Sequence, residues 1–425
     1  GIRDVAVTGV QTCALPILTN SPETERRANV DELPQNSGDG RAEELFARGN
    51  ALRRLARNRE AIEAYDGALA IRPDYAEALN NRGNALRDLK RFEEALESYD
   101  RALAANPAYE RAHNNRGNTL RDLERHGEAL VSFEHALVLK PDYAEAMVNR
   151  GNALRDLKRF EEALESYDRA LALRPDWAPA LNNRGLALMD LERHGDALAC
   201  FERALSAEPK DAELRFHRGN ALLRLQRHEE AIAEYERVLS LAPAHAWAWN
   251  NLGNALLFLR RADAALACYG RALAAEPGNA QFLNNRGHAW DALGRRPEAL
   301  ADYQRAYALN PDYTDALYAA AQTLRDLKRT DEAIACAEKV LELDPDFGVG
   351  ALVDLKRAAC DWNGIAELEA KWIADVRAGK GALAPFTFFA VSDTPYDHLR
   401  CAEIFLGPPR PGDARPLWNG ERYNH

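Results

Sequence analysis

Asparagine recurs along this 425-residue chain at a fixed step. One register holds Asn81, Asn115, Asn149, Asn183, Asn251 and Asn285; a second, three residues on, holds Asn50, Asn84, Asn118, Asn152, Asn220 and Asn254. A third, one residue ahead of the first, holds Asn80, Asn114, Asn182, Asn250 and Asn284. Within each register the interval is 34 residues or twice that. Asparagine is a mediocre helix former, so its return in segments of helical pattern calls for a reason. Each side-chain amide carries two donors and an acceptor. A regular ladder of amides can bond the main chain of an extended peptide whatever that peptide's side chains; it can equally bond neighbouring helices or solvate a wall. The first register is the strongest candidate for peptide binding, joined by Asn84, Asn118 and Asn152 of the second.

Other reactive side chains show no catalytic pattern. Arginine recurs at Arg48, Arg82, Arg116, Arg150, Arg184, Arg218 and Arg286. Its stems are expected to pack between helices and its heads to pair with acids such as Asp88 and Asp156. His126, His194 and His228 share one register and read as exposed turn residues. The six cysteines, Cys13, Cys200, Cys268, Cys336, Cys360 and Cys401, form no C-x-x-C pair. That spacing suits neither a zinc site nor a disulfide scaffold, and fits thiols in a reducing compartment. No nucleophile–base pair, metal cluster or phosphate loop appears, so no catalytic, metal or cofactor-binding residue is assigned. Acids outnumber bases 66 to 55, for a net charge of −11, which disfavours a partner held through phosphates. No apolar run approaches the ~20 residues that span a bilayer. A cytoplasmic location is expected.

The elements that position the amides come from the same period. Counting Ala42 as position 1, nine 34-residue units run to Phe347. Position 8 is glycine from Gly49 to Gly287 and alanine at Ala321. Position 20 is always alanine and position 32 always proline. Position 24 is aromatic in every unit except the last, where it is Ala337. Small residues at 8 and 20 let two helices of one unit approach, the aromatic fills the groove between them, and the proline ends the second helix. Asn81–Ala104 is identical to Asn149–Ala172, as expected of recent duplication.

This pattern resembles the tetratricopeptide repeat. The resemblance implies an all-α, right-handed superhelix (an α-solenoid) of nine helix pairs, with the first helix of each pair facing a concave groove. Residues 1–41 are read as a disordered or non-native segment in which Val7–Ile17 looks like translated sequencing-adapter sequence. Residues 42–347 are the repeats, 348–380 degenerate capping helices, and 381–425 a linker. The tail carries Cys360-Asp361-Trp362 and, further on, Leu417-Trp418-Asn419-Gly420-Glu421-Arg422-Tyr423. This order is similar to the linker that precedes the catalytic domain in bacterial O-linked N-acetylglucosamine transferases and SPINDLY-like proteins. The asparagine ladder is shared with that family, where it holds acceptor polypeptides. The resemblance implies a chain cut before its glycosyltransferase domain. A nucleotide sugar such as UDP-GlcNAc is expected only for that missing domain, and no cofactor for this chain.

The leading expectation is therefore a polypeptide-binding superhelix, the substrate-recruiting arm of a protein glycosyltransferase. Its partners would be extended polypeptides in the groove, with no nucleic acid and no membrane. As given, the chain is not expected to be an enzyme. The alternative is a stand-alone scaffold for protein assembly. RNA reading, as in pentatricopeptide repeats of similar length, is disfavoured by the 34-residue step, by the residues at positions 8, 20 and 32, and by the acidic balance.

Overall fold

A computed structural model describes residues 38–380, 388, 391, 392 and 394–406. Val7–Ile17, Cys13 and the motif at 417–423 lie outside the described residues. Among those described, every regular element is a helix. The residues form two compact units, 38–241 and 242–406.

The first unit holds six helix pairs: α1 (Gly38–Arg54) with α2 (Asn58–Ile71), α3 (Ala76–Asp88) with α4 (Phe92–Ala105), α5 (Glu110–Asp122) with α6 (His126–Leu139), α7 (Ala144–Asp156) with α8 (Phe160–Leu173), α9 (Ala178–Asp190) with α10 (His194–Ala207), and α11 (Ala212–Arg224) with α12 (His228–Leu241). Each helix packs on the next in sequence, and odd-numbered helices also touch one another. The chain thus repeats one helix-turn-helix element, with neighbours covering the apolar face that a single pair leaves open. The second unit repeats the element with α13 (Ala246–Phe258) and α14 (Ala262–Ala275), α15 (Ala280–Ala292) and α16 (Arg296–Leu309), and α17 (Thr314–Asp326) and α18 (Thr330–Leu343). It closes with α19 (Pro345–Ala358), α20 (Ile365–Arg377) and α21 (Pro395–Leu406). The all-α repeat architecture read from the sequence is the architecture found. Helix α1 starts at Gly38, ahead of the first unit's expected start at Ala42, with Asp39 in its first turn against the helix's positive end.

Glycine at position 8 allows the closest contact in each pair. A Cβ on Gly151 would lie 2.5 Å from Cε1 of Tyr167, and Gly83, Gly117 and Gly185 stand in the same relation to Tyr99, Phe133 and Phe201. These rings are fully buried. In the ninth unit the ring is Ala337, and the residue under it is Ala321; both are fully buried. The two exceptions are one exchange: with no ring above it, a methyl group fits.

The turn inside each pair is less obvious from the sequence. Position 15 has a left-handed backbone at Ala56, Lys90, Glu124, Lys158, Glu192 and Gln226, and at Arg260, Gly294 and Lys328 in the second unit. The next N–H bonds five residues back, as from Arg91 to the Leu86 carbonyl at 2.9 Å and from Arg159 to Leu154 at 2.8 Å. This closure stops the first helix, and only one of these residues is the glycine that usually does so.

In the tail, Val349, Ala351, Val353, Trp372, Val376, Phe388 and Cys401 form one core. The α18–α19 approach is closer still, since a Cβ on Gly348 would meet the Leu341 backbone at 2.3 Å. Arg377 holds buried Asp397 through two bonds of 2.8 Å, and Ser392 Oγ adds a third at 2.7 Å. Those donors hold the Asp397 carboxyl below the usual carboxylate range. Of the Cys-Asp-Trp motif, Cys360 is the left-handed residue ending α19, Asp361 accepts from Lys356 Nζ at 2.6 Å, and Trp362 is 64% exposed.

The glycine–ring contact predicts a change of sign. Gly151→Ala should destabilise by about 1–3 kcal/mol through overpacking. In a Tyr167→Ala background the same substitution should stabilise by up to about 1 kcal/mol, as alanine does in an open helix. Urea unfolding midpoints of the four proteins check this; a loss of equal size in both backgrounds would contradict the contact.

Candidate polypeptide-binding wall

The three asparagine registers occupy positions 5, 6 and 9 of the odd-numbered helices, and the fold treats each differently. Position 5 turns into the helix contact, where Asn80, Asn114, Asn250 and Asn284 are 1–5% exposed. A position-6 amide can then donate across to the preceding unit wherever that unit carries asparagine at position 5. Asn115 Nδ2 bonds Asn80 Oδ1 at 2.9 Å, Asn149 bonds Asn114 at 3.0 Å, and Asn285 bonds Asn250 at 2.9 Å. His217 keeps the link through Nδ1 to Asn182 Oδ1, 2.8 Å away. Asn81 has no asparagine at position 5 behind it, since that residue is Phe46, and bonds Asn50 Oδ1 at 2.8 Å. Position 9 accepts from the ring hydroxyl of its own unit: Tyr99 to Asn84 at 2.8 Å, Tyr167 to Asn152 at 2.7 Å, Tyr269 to Asn254 at 2.8 Å.

Part of the predicted ladder is therefore spent inside the protein. Asn80, Asn114, Asn250 and Asn284 are removed from any groove, and Asn285, at 8% exposure, largely follows them. Capacity remains where the pairing is incomplete. Asn84 and Asn152 accept from tyrosines and keep their N–H groups. Asn118 lacks the tyrosine bond because its ring is Phe133, which has no hydroxyl. Asn183 finds Val148 at the position that would accept from it; its only bond is a 3.5 Å contact received from Asn182. Asn81, Asn115, Asn118, Asn149, Asn152 and Asn183 are all half-buried, with one side open. Asn251 is half-buried in the second unit and accepts from Asn250 Nδ2 at 3.0 Å.

A second ladder flanks the amides. Position-12 arginines reach the position-13 aspartates of the next unit: Arg87 to Asp122 at 2.6 Å, Arg121 to Asp156 at 2.8 Å, Arg155 to Asp190 at 2.5 Å. Each rung cancels its own charge. The position-7 arginines were expected to pair with Asp88 and Asp156, but they point elsewhere. Arg82 bonds Asp66 and Ser98, Arg116 bonds Asp100 and Ser132, and Arg184 bonds Asp168 and Cys200. Position 7 faces the second helices, whereas position 13 lies on the amide side. Burial raises the Asp88 carboxyl above its usual range.

The histidine register is also corrected. His228 is buried and burial lowers its pKa, while His126 and His194 are half-buried; all three begin second helices. In the second unit, position 9 of α15 is His288, whose Nδ1 lies 2.9 Å from the Tyr303 hydroxyl, and that hydroxyl donates to Asp291 Oδ2 at 2.9 Å. The cysteines among the described residues are free thiols. Among those residues no group of three or more His, Cys, Asp or Glu could hold a metal ion, and no helix is long and apolar enough to cross a membrane.

Phe133→Tyr should supply the bond that Asn118 lacks and raise stability by about 1 kcal/mol. A rise in thermal midpoint checks it; a fall would show that Asn118 is not positioned as Asn84 and Asn152 are.

Family models for tetratricopeptide repeats match residues 46–110, 182–246 and 250–313, with related models at 110–143, 151–192 and 292–356. Among solved structures, a tetratricopeptide repeat protein from Parabacteroides merdae is 20% identical, covering 58% of this chain and 98% of its own, with a TM-score of 0.48. YrrB, described as a TPR protein with an unusual peptide-binding site, is 27% identical over 44% of this chain and 96% of its own, at 0.37. Yeast Tom70 is 14% identical over 86% of this chain and 95% of its own, at 0.41. No curated protein matches the sequence.

Proposed function

Because this chain belongs to the tetratricopeptide-repeat family, we propose that the open amide wall of α3, α5, α7 and α9 binds an extended polypeptide through its main chain. The observation that carries the reading is the set of half-buried amides with unused hydrogen-bonding capacity at equivalent places on successive helices: Asn84, Asn118, Asn149, Asn152 and Asn183. Donors and acceptors at a fixed repeat suit a backbone that offers one N–H and one C=O per residue. The self-neutralised Arg–Asp rungs beside them favour no charge sign in the partner. In this reading the protein is an interaction scaffold, and its own residues perform no chemistry.

Replacing both Asn149 and Asn183 with alanine should weaken a bound peptide by about tenfold, the loss of one to two net hydrogen bonds. Fluorescence anisotropy with a labelled peptide selected on the wild-type chain measures this. Equal affinities would remove the amides from the binding account.

The finer reading is that this scaffold is the recruiting arm of a protein O-linked N-acetylglucosamine transferase-like enzyme. It rests on the order of tail motifs and on Trp362, which the tail's own core leaves exposed. The source gene tests it. A frame that continues past the His425 codon into nucleotide-sugar-binding lobes supports the arm; a stop codon there leaves the scaffold alone.

A further inference from the structure

The Arg–Asp ladder ends on α9. Asp190 accepts Arg155 from α7, but the position-12 residue that should pass the ladder on is Met189, and the position that should receive it on α11 is Arg224. Position 12 of α11 is Leu223, and position 9 of α9 is Leu186 where α3, α5 and α7 carry asparagine. Asn183, Leu186, Met189 and Asp190 fall at i, i+3, i+6 and i+7, one face of α9. Leu186, Met189 and Leu223 are half-buried, each with one side open.

Internal packing explains only part of this. Leu186 has Phe201 as its ring, so no hydroxyl there needs an acceptor. That reason does not extend to Leu223, whose unit keeps the Asn220–Tyr235 bond at 2.8 Å. Nor does it extend to Met189, since position 12 makes no bond to the ring in α3, α5 or α7. At both positions an arginine, paired in α3, α5 and α7, has given way to an open apolar side chain, one on the helix that carries Asn183 and one on the next odd-numbered helix.

We propose that Leu186, Met189 and Leu223 form a seat for one large aliphatic side chain of the same extended polypeptide, giving sequence preference to a wall that otherwise grips only main chain. The inference rests on the amide-wall reading above, which identifies the occupant; continuity of the seat with Asn183 on one helix face makes it that chain's next contact. Packed helices lie roughly 8–10 Å apart and an extended chain advances about 3.3 Å per residue, so each helix step takes about three residues. The seated side chain therefore stands about three to six residues from the stretch held by Asn149.

The test is selection of a phage-displayed library of random 15-residue peptides on the full chain. The expected result is a Leu, Ile or Met at one fixed position in the enriched peptides. The double variant Met189→Arg/Leu223→Arg, which installs the residue that α3, α5 and α7 carry at this position, should bind those peptides about tenfold more weakly, the worth of one buried aliphatic side chain. Reselection on it should lose the fixed position, while Met189→Leu/Leu223→Met should keep both. Enriched peptides without a fixed apolar residue, or unchanged affinity in the arginine variant, would overturn the seat. The two readings separate through Asn149→Ala/Asn183→Ala. If that variant binds normally while the arginine variant does not, the amide reading fails and the seat stands. A library that yields no enriched peptide overturns both.

Discussion

One steric contact organises the whole array: a buried aromatic ring laid directly on a helix that has no side chain at that point. Eight units use glycine under a Tyr or Phe, and the ninth uses alanine under alanine. A fully buried aromatic contributes several kcal/mol when removal is the measure, and a methyl group forced beneath it destabilises by part of that amount. The separation of the two helices is thereby fixed in each pair. Once it is set, position 5 has to point into the next contact, position 6 has to face the preceding unit, and position 9 comes within reach of the ring hydroxyl. The amide pattern is a consequence of where the rings sit.

Those amides satisfy the fold before they can satisfy a partner. A buried polar group without a hydrogen bond costs about 1–3 kcal/mol, so Asn80, Asn114 and Asn250 are taken up by position-6 donors. What faces outward is the remainder: the N–H groups of Asn84 and Asn152, the side-chain carbonyls of Asn115 and Asn149, and residues whose partner has been lost. Phe133 frees Asn118 and Val148 frees Asn183. Departures from the repeat therefore concentrate binding capacity in the middle of the first unit, and the apolar residues on α9 and α11 continue the same face.

Much of this was legible in the sequence, because a 34-residue period exposes every recurrent position at once. The helix pairs, their breaks at proline and the small residues at positions 8 and 20 all follow from register. Ala321 and Ala337 were visible as exceptions, but only their contact joins them into one exchange. Other features were hidden for physical reasons. The left-handed residue at position 15 is glycine only at Gly294, so the usual composition signal is missing. Burial of Asn80 and Asn114 could not be separated from exposure of Asn84 and Asn118, since all lie on neighbouring faces of one short helix. The position-7 arginines offered several acids at helical spacing, and which acid each meets depends on the crossing of helices that sequence alone does not show.

The most direct test of the central claim is side-chain amide NMR on protein labelled with 15N at asparagine, with and without a peptide selected on the wild-type chain. The account predicts that the signals of Asn84, Asn118, Asn149, Asn152 and Asn183 move on binding while those of the buried Asn80, Asn114 and Asn250 stay in place. Shifts confined to the buried set, or absent from all asparagines despite binding, would contradict it.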